Sequence, residues 1–454
     1  MSILENDDAT LVLDIGKTNV KLVLLDADGA VTAELRSPNT ILTDGPYPQH
    51  DTERIWRWML DGFKELSRLA HIGAIVPVTH GATAALVDDD GLVLPVLDYE
   101  FELPAEHGQY QAQRPPYAST YSPLLPAGLN LGRQLAWQAQ EFPEQFGRAR
   151  HILMYPQYWA WRLCGVAASE VTSLGCHTDL WQPARQQYSA LVERLGWNAL
   201  FPPLQSAWAP LGALKPELAA RTGLPSSCVV LCGIHDSNAS LLRHFGSASS
   251  PAVLSTGTWV IAAAPGKPLD GLREQSDMLA NSNAMGQAVA CIRFMGGREF
   301  AELAGANLQP CGVEELQALI DRHTMALPCF SQAGGPFAGR QGTVEGPPPQ
   351  TSRERYALAT LYCVLMSDYC LAQLGADGDV VVEGSYTGNP WFAPLLAALR
   401  PTQRISSTDD TSGTTCGAWM LHHWGQSPAA SNTVAQPLAL NGWEAYRRQW
   451  LAKL

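Results

Sequence analysis

Apolar residues recur along this chain in two rhythms, period two and period 3.6, that change places block by block. The first block, LVLDIGKTNVKLVLLDADG from Leu11 to Gly29, sets two runs rich in Val and Leu around a short polar bend. It reads as strand, tight turn, strand. DTERIWRWMLDGFKELSRLA then places Ile55, Met59, Phe63 and Leu66 at helical spacing behind the cap candidates Asp51 and Thr52. IGAIVPVTHGATAALVDDDGLVLPVL returns to strand chemistry with a turn at Asp90-Gly91. From about Ala127 to Leu163 the pattern is mostly helical and closes at Gly165, and another helix is expected near YSALVERLGW. CVVLCGIHDSNASLLRHFG reads as a buried strand, a polar turn and the start of a helix.

A second start follows. PAVLSTGTWVIAAAPG repeats the opening architecture, an apolar strand running into a Gly and Thr turn and out again, roughly 240 residues later. The last third predicts a long apolar helix across RERYALATLYCVLMSDYCLAQLG, a buried strand from Asp379 to Val382, a Gly-containing turn and a helix beginning near Pro390. Strands, helix and strands in this order predict an α/β fold on mixed sheets. The repeat predicts two related domains, over residues 1–245 and 246–454, with both turns presented to one cleft between them.

Length supports that division, because 454 residues exceed what one core usually serves. Apolar residues make up 46% and charged residues 16%, which excludes a disordered chain. No run of 18 apolar residues is present, so no membrane partner is expected. The start MSILENDDAT lacks the basic residues and apolar stretch of a secretory signal, and a cytoplasmic location follows as the expectation. Ten scattered cysteines, with Cys228 and Cys232 in a strand-like setting, read as buried thiols. A formal charge of −13 argues against nucleic acid as a partner. An acidic chain that binds an anionic cofactor must do so locally, through backbone N–H groups, a few basic side chains or a metal ion.

Both bends supply such groups. The first holds Asp14, Gly16, Lys17, Thr18, Asn19 and Lys21; the second holds Ser255, Thr256, Gly257 and Thr258. Neither matches the P-loop or the three-glycine dinucleotide fingerprint. Asp14 ends its strand at the bend, where it either holds Mg²⁺ or caps its own turn. Asp236 in GIHDSNAS stands where a strand gives way to a helix, as an N-cap or as a general base for a hydroxyl that attacks a phosphate.

Taken together, these motifs resemble the FGGY family of carbohydrate kinases, from Leu11 to about Met420. The resemblance implies two actin- and hexokinase-like (ribonuclease H-like) domains and transfer of the γ-phosphate of ATP, with Mg²⁺, to a small sugar. It implies that Asp14, Gly16, Lys17, Thr18, Asn19 and Lys21 form the first phosphate motif, with Lys17 replacing the usual small hydroxyl residue. Thr256, Gly257 and Thr258 fall on the second, and Gly297, Gly384, Ser385 and Asn389 fall beside the nucleotide. Asp236 falls on the catalytic aspartate and, with Asp14, on the metal side. His80, Gly81, Glu100 and His177 fall on the sugar side, Glu100 where the family usually has Asp. Tyr99 and Trp259 are candidates to stack on the sugar. The implied substrate is a ketose of the rhamnulose, fuculose or pentulose kind, and a homodimer is compatible with the fold. The competing readings are an actin-like or chaperone-like ATPase and an inactive sugar-binding protein on the same fold.

Overall fold

A computed structural model describes residues 8–104, 108–245, 250–331, 334–408, 413–426 and 432–454. The chain divides into two compact units, the first comprising residues 1–246, 280–288 and 412–429, the second 247–279, 289–411 and 430–454. Residue 246, where the sequence places the start of the second domain, lies outside the described residues. The returns at 280–288 and 412–429 leave no trace in local periodicity.

The first unit is built on a mixed sheet of β1 (Ala9–Ile15), β2 (Asn19–Leu25), β3 (Val31–Pro38), β4 (Ile72–Thr79), β5 (Pro210–Ala213), β6 (Val229–Leu231) and β7 (Ile234–His235), in spatial order β5-β6-β4-β1-β2-β3. The β1/β2 pair is the predicted antiparallel hairpin, and β3 extends it by one more antiparallel strand. β1, β6 and β7 all run parallel to β4. Every residue of β1 is buried because both of its faces are covered. Leu11, Leu13 and Ile15 pack in one core with Ile55, Met59 and Phe63 of α1 (Thr52–Leu66), while Val12 joins a second core with Ala239, Leu242 and Trp419. The predicted cap is in place, with Asp51 accepting a hydrogen bond from Arg54 N at 3.0 Å.

The second unit repeats the plan. Its strands β8 (Ala252–Thr256), β9 (Val260–Pro265), β10 (Ala288–Phe294), β11 (Val380–Gly384), β12 (Ile405–Thr408) and β13 (Thr433–Val434) lie in spatial order β10-β9-β8-β11-β12-β13. β10, β9 and β8 form an antiparallel meander, and β8 then pairs in parallel with β11. The first unit does the same with β3, β2, β1 and β4, so the repeat extends from the hairpins to the sheet around them.

One local expectation is corrected and two are refined. The segment 127–163 is mostly helical, as expected, with helices at Leu131–Glu141, Pro143–Arg148 and Tyr155–Cys164, but His151–Met154 interrupts it as a strand paired with Ala84–Val87. Four residues carry no period of their own, and the pairing decides their state. GLVLPVL makes only the isolated bridges Val87↔Leu92 and Gln49↔Leu97, since Pro95 removes a ladder donor. The helix expected near Pro390 is present and starts at Phe392, after Trp391 N is captured by the Asn389 side chain at 3.1 Å. All ten cysteines are free thiols, eight of them buried. Among the described residues no helix is long and apolar enough to cross a membrane.

Candidate active site

Parallel pairing around β4 fixes the geometry of the first unit's candidate site. In register, Asp14 lies beside Val78 and Ile15 beside Thr79; across the same strand, Ile234 also lies beside Val78 and His235 beside Thr79. Asp14, next to last in β1, and His80 and Asp236, which follow β4 and β7, therefore share one end of the sheet. Carboxyl ends of parallel strands are where α/β sheets usually bind ligands.

Asp14 is buried and stands opposite Lys21 on the hairpin, with Lys21 Nζ 3.4 Å from its Oδ2. Burial raises its pKa above the ordinary carboxylate value against the pull of Lys21, and the negative charge of Asp236 pushes the same way. The bend is closed by a Gly16 N to Asn19 O hydrogen bond of 2.9 Å. Asn39 braces it, its Nδ2 donating to Gly16 O at 2.8 Å and its N to Thr18 O at 2.9 Å. Thr18 and Asn19 are exposed, and Asn19 Nδ2 donates to Thr18 Oγ1 at 3.0 Å. Lys17 turns elsewhere: its ammonium pairs with Asp98, lies 3.2 Å from Glu100 Oε2 and sits 4.7 Å from the centre of the Tyr99 ring.

Asp236 opens helix α4 (Asp236–Phe245). Its Oδ1 accepts from Ser237 N at 2.6 Å and from Ser237 Oγ at 3.2 Å. Burial raises its pKa, opposed by its electrostatic coupling to His80 and by the Ser237 hydrogen bonds. His235 Nε2 lies 3.3 Å from the same Oδ1, and burial lowers this imidazole to about 4, so it is neutral at physiological pH. Asn238 Nδ2 lies 3.3 Å from His235 Nδ1. Gly81 lies against this ring, and a Cβ there would stand 2.7 Å from His235 Nε2, so a side chain would displace a buried imidazole.

His80 is buried, with Nδ1 3.0 Å from Gly81 O and Nε2 without a hydrogen-bond partner. Its ring centre lies 5.4 Å from Tyr99, 5.2 Å from Tyr155 and 5.1 Å from His50. Periodicity singles out none of His50, Tyr155, Asp98 or His235, because their roles depend on pairings tens of residues apart. Glu100 is exposed beside Lys17. His177 sits in left-handed backbone, φ 44°, with Nδ1 2.8 Å from Leu129 O.

In the second unit the expected nucleotide-side residues converge on the β8/β9 bend and the end of β11. Thr256 Oγ1 donates to Glu383 O at 2.5 Å and accepts from Tyr386 N at 2.9 Å, so its hydroxyl joins the two turns. Gly384, φ 87°, lies so close that a Cβ would be 2.0 Å from Thr256 O. A Cβ on Gly297, at the start of α5 (Gly296–Ala304), would be 2.3 Å from Gly257 O, while Gly297 N donates to Thr258 O at 3.2 Å. Thr258 and Ser385 are exposed. Asn389 is buried, and its amide is used within the protein, Nδ2 donating to Thr360 Oγ1 at 2.9 Å and Oδ1 accepting from Trp391 N. Trp259 lies under the Arg293 guanidinium at 4.5 Å.

Among the described residues no group of three or more His, Cys, Asp or Glu side chains forms a metal cage. The chemistry of the donors still fits Mg²⁺. Asp14 and Asp236 are two carboxylates close enough for the charge of one to act on the other, and Mg²⁺ takes one or two carboxylates plus water.

The double α/β architecture, with an acidic strand end facing an aspartate at a helix start, defines the two-domain actin- and hexokinase-like fold. Two family models match, the N-terminal domain of the FGGY family of carbohydrate kinases over residues 116–243 and the C-terminal domain of carbohydrate kinase FGGY over residues 248–430. A carbohydrate kinase from Novosphingobium aromaticivorans is 37% identical with a TM-score of 0.92, covering 98% of this chain and 99% of that one. The chain belongs to the FGGY family of carbohydrate kinases. A xylulose kinase from Rhodospirillum rubrum has the same fold at 18% identity and TM-score 0.80, covering 98% of each chain. L-fuculokinase of Salmonella typhi is 27% identical over 269 residues, 56% of this chain and 56% of that protein; the match thus spans about half the length of this curated relative. Asp236 and the second unit's turn residues lie within the matched family spans, whereas Asp14 to Lys21, His80, Gly81 and Glu100 precede them.

Proposed function

We propose that this protein is an ATP-dependent sugar kinase in which the first unit binds a small neutral sugar and carries the general base, and the second unit binds the nucleotide. The observation that carries the reading is the meeting of Asp14, His80 and Asp236 at the carboxyl end of one parallel strand set. In this reading His80 and Gly81 face the sugar. The two Ser237 hydrogen bonds fix the Asp236 carboxyl so that its other oxygen accepts the proton of the attacking hydroxyl. The sugar hydroxyl oxygen, as it gives up that proton, forms the new bond to the γ-phosphorus while the bond from the γ-phosphorus to the β–γ bridging oxygen breaks, and ADP leaves. Asp14 and Asp236 are the residues that would hold Mg²⁺, which supplies charge neutralisation for the phosphates. Gly16 N and Gly257 N close their bends on Asn19 O and Trp259 O, each at 2.9 Å, so the backbone N–H groups of Thr18 and Thr258 are assigned to phosphate oxygens, and the surroundings of Gly297, Gly384 and Ser385 to the nucleoside. L-Fuculokinases among the relatives favour a ketose of the fuculose kind.

The test is ADP release with ATP and Mg²⁺ across ketoses, aldoses, polyols and glycerol, with Asp236→Asn alongside. Turnover that depends on a ketose and falls by about 10²–10⁴ in the variant supports the reading. Sugar-independent turnover points to an ATPase, and sugar binding without turnover to an inactive binding protein.

A further inference from the structure

Lys17 belongs by sequence to the phosphate bend, yet its contacts lie on the sugar side. Its side chain is 19% exposed, and its ammonium is committed to two carboxylates, Asp98 and Glu100, with the Tyr99 face beside it. Asp98 is buried and holds a small turn: its N donates to Pro48 O at 2.9 Å, its Oδ1 accepts from Glu100 N at 3.2 Å and its O accepts from Phe101 N at 2.9 Å. Tyr99, carried on that turn, is anchored by Gly128 N to its carbonyl at 2.9 Å and places its ring 5.4 Å from His80. For Lys17 to reach a phosphate it would have to leave Asp98, whose carboxylate would then be buried without its cation, and breaking such a pair is strongly unfavourable. Lys21, paired with Asp14 and 34% exposed, has no such second commitment to the turn at Asp98.

We infer that Lys17 is a positioning residue of the sugar site: it locks the 98–101 turn, and through Tyr99 and Glu100 shapes the wall beside His80, rather than binding the phosphates of ATP. The inference rests on the sugar-kinase reading for its kinetic consequence, but the lock itself does not. One hairpin bend would then serve both sides of the reaction, with Asp14 toward the phosphates and Lys17 toward the sugar. An Arg in place of Lys17 keeps the charge between the two acids; a Met of similar length does not.

The experiment compares wild type, Lys17→Met, Lys17→Arg and the double variant Lys17→Met/Asp98→Asn. Steady-state KM is measured for the best sugar and for ATP, ADP binding is measured directly, and hydrogen exchange is followed at residues 98–101. The expected result is a KM for the sugar raised about tenfold or more in Lys17→Met, with KM for ATP and ADP affinity within about twofold of wild type. Lys17→Arg recovers most of the loss, and the double variant is less impaired than Lys17→Met, because the buried carboxylate of Asp98 is no longer left without its cation. Weaker ADP binding or a raised KM for ATP with an unchanged KM for the sugar overturns the inference and returns Lys17 to the phosphates. If wild type phosphorylates none of the sugars, the kinase reading fails. The lock is then judged by exchange alone: faster exchange at 98–101 in Lys17→Met supports it, and unchanged exchange overturns it. Should Lys17→Met not fold, the double variant, in which the pair is neutral, carries the same measurements.

Discussion

Glu170 offers a stability test that needs no substrate. It is fully buried at the N-cap of α3 (Val171–Leu174), where Oε2 accepts from Thr172 N at 2.9 Å and from the Thr172 hydroxyl, while Oε1 has no partner. Burial dominates these hydrogen bonds and raises its pKa from 4.5 to about 8. A carboxyl whose folded pKa is raised contributes stability that is fully present below the unfolded value and is lost as pH rises through the folded value. The window is therefore pH 4.5 to 8. Within it the folded state holds a proton that the unfolded chain has released, so stability falls with pH at up to about 1.4 kcal/mol per unit. Integrated from pH 5 to pH 8, the loss is about 3–4 kcal/mol.

Glu170→Gln removes that titration while its side-chain oxygen still accepts from Thr172. Its amide N–H₂ replaces an atom without a partner and adds a roughly constant offset, about 1–3 kcal/mol if it stays unpaired. Urea unfolding followed by tryptophan fluorescence at pH 5, 6, 7 and 8 gives the stability of both proteins. Titrations elsewhere are common to the two and cancel in the difference. The variant is expected to gain on wild type by about 3–4 kcal/mol across the series, whatever its offset at pH 5. A difference that stays constant with pH would mean that Glu170 ionises alike in both states, and the argument from burial would be wrong.

The remaining predictions are simpler. A Cβ at Gly417, in the helix Gly413–His422, would stand 1.9 Å from Ala239 O of α4, so Gly417→Ala should cost about 2–3 kcal/mol or more in a thermal melt. Gly147→Ala is its control: the position is an exposed site in the helix Pro143–Arg148 with nothing within 4 Å, and a gain of about 0.5–1 kcal/mol is expected. A loss there of similar size to that at Gly417 would show that contact geometry is not what separates them. Because the base in the proposed reaction acts ionised and burial raises Asp236, the acid limb of kcat/KM should lie above the ordinary aspartate range, with activity lost as pH falls through it. A limb at the ordinary value would contradict the burial argument.

The parts of this fold that are legible in sequence are those whose signal is local. Apolar runs around polar bends mark both hairpins, and Asp51 ahead of Ile55, Met59 and Phe63 marks α1, because cap and periodicity are read within a few turns. The parts that are not legible depend on pairing at a distance. His151–Met154 becomes a strand only against Ala84–Val87, and the partners of Lys17 stand some 80 residues away at Asp98 and Glu100. The site divides in the same way. Asp14 and Asp236 announce themselves at strand ends, whereas His50 and Tyr155 beside His80 are chosen by tertiary contact alone.

The position of Asp236 shows why long-range side chains matter to a carboxyl set by a short strand. β7 is two residues long and pairs with β4 only at Ile234 and His235, too little ladder to fix the start of α4 by itself. The deficit is met from α2 (Tyr155–Cys164) and α3. Gln157 Nε2 donates to Cys232 O at 3.0 Å and Gly233 O at 3.2 Å, and Thr172 Oγ1 accepts from His235 N at 3.1 Å while its own proton goes to Glu170. Glu170, Thr172 and the His235 backbone thus form a buried relay of hydrogen bonds that ends one residue before the carboxyl assigned to catalysis. A neutral Glu170 suits this place, since burial penalises its charged form more than the Thr172 hydrogen bonds favour it. Glu170 thus contributes to the site through its burial and its hydrogen bonds rather than through charge, which is why glutamine is the substitution that separates the two.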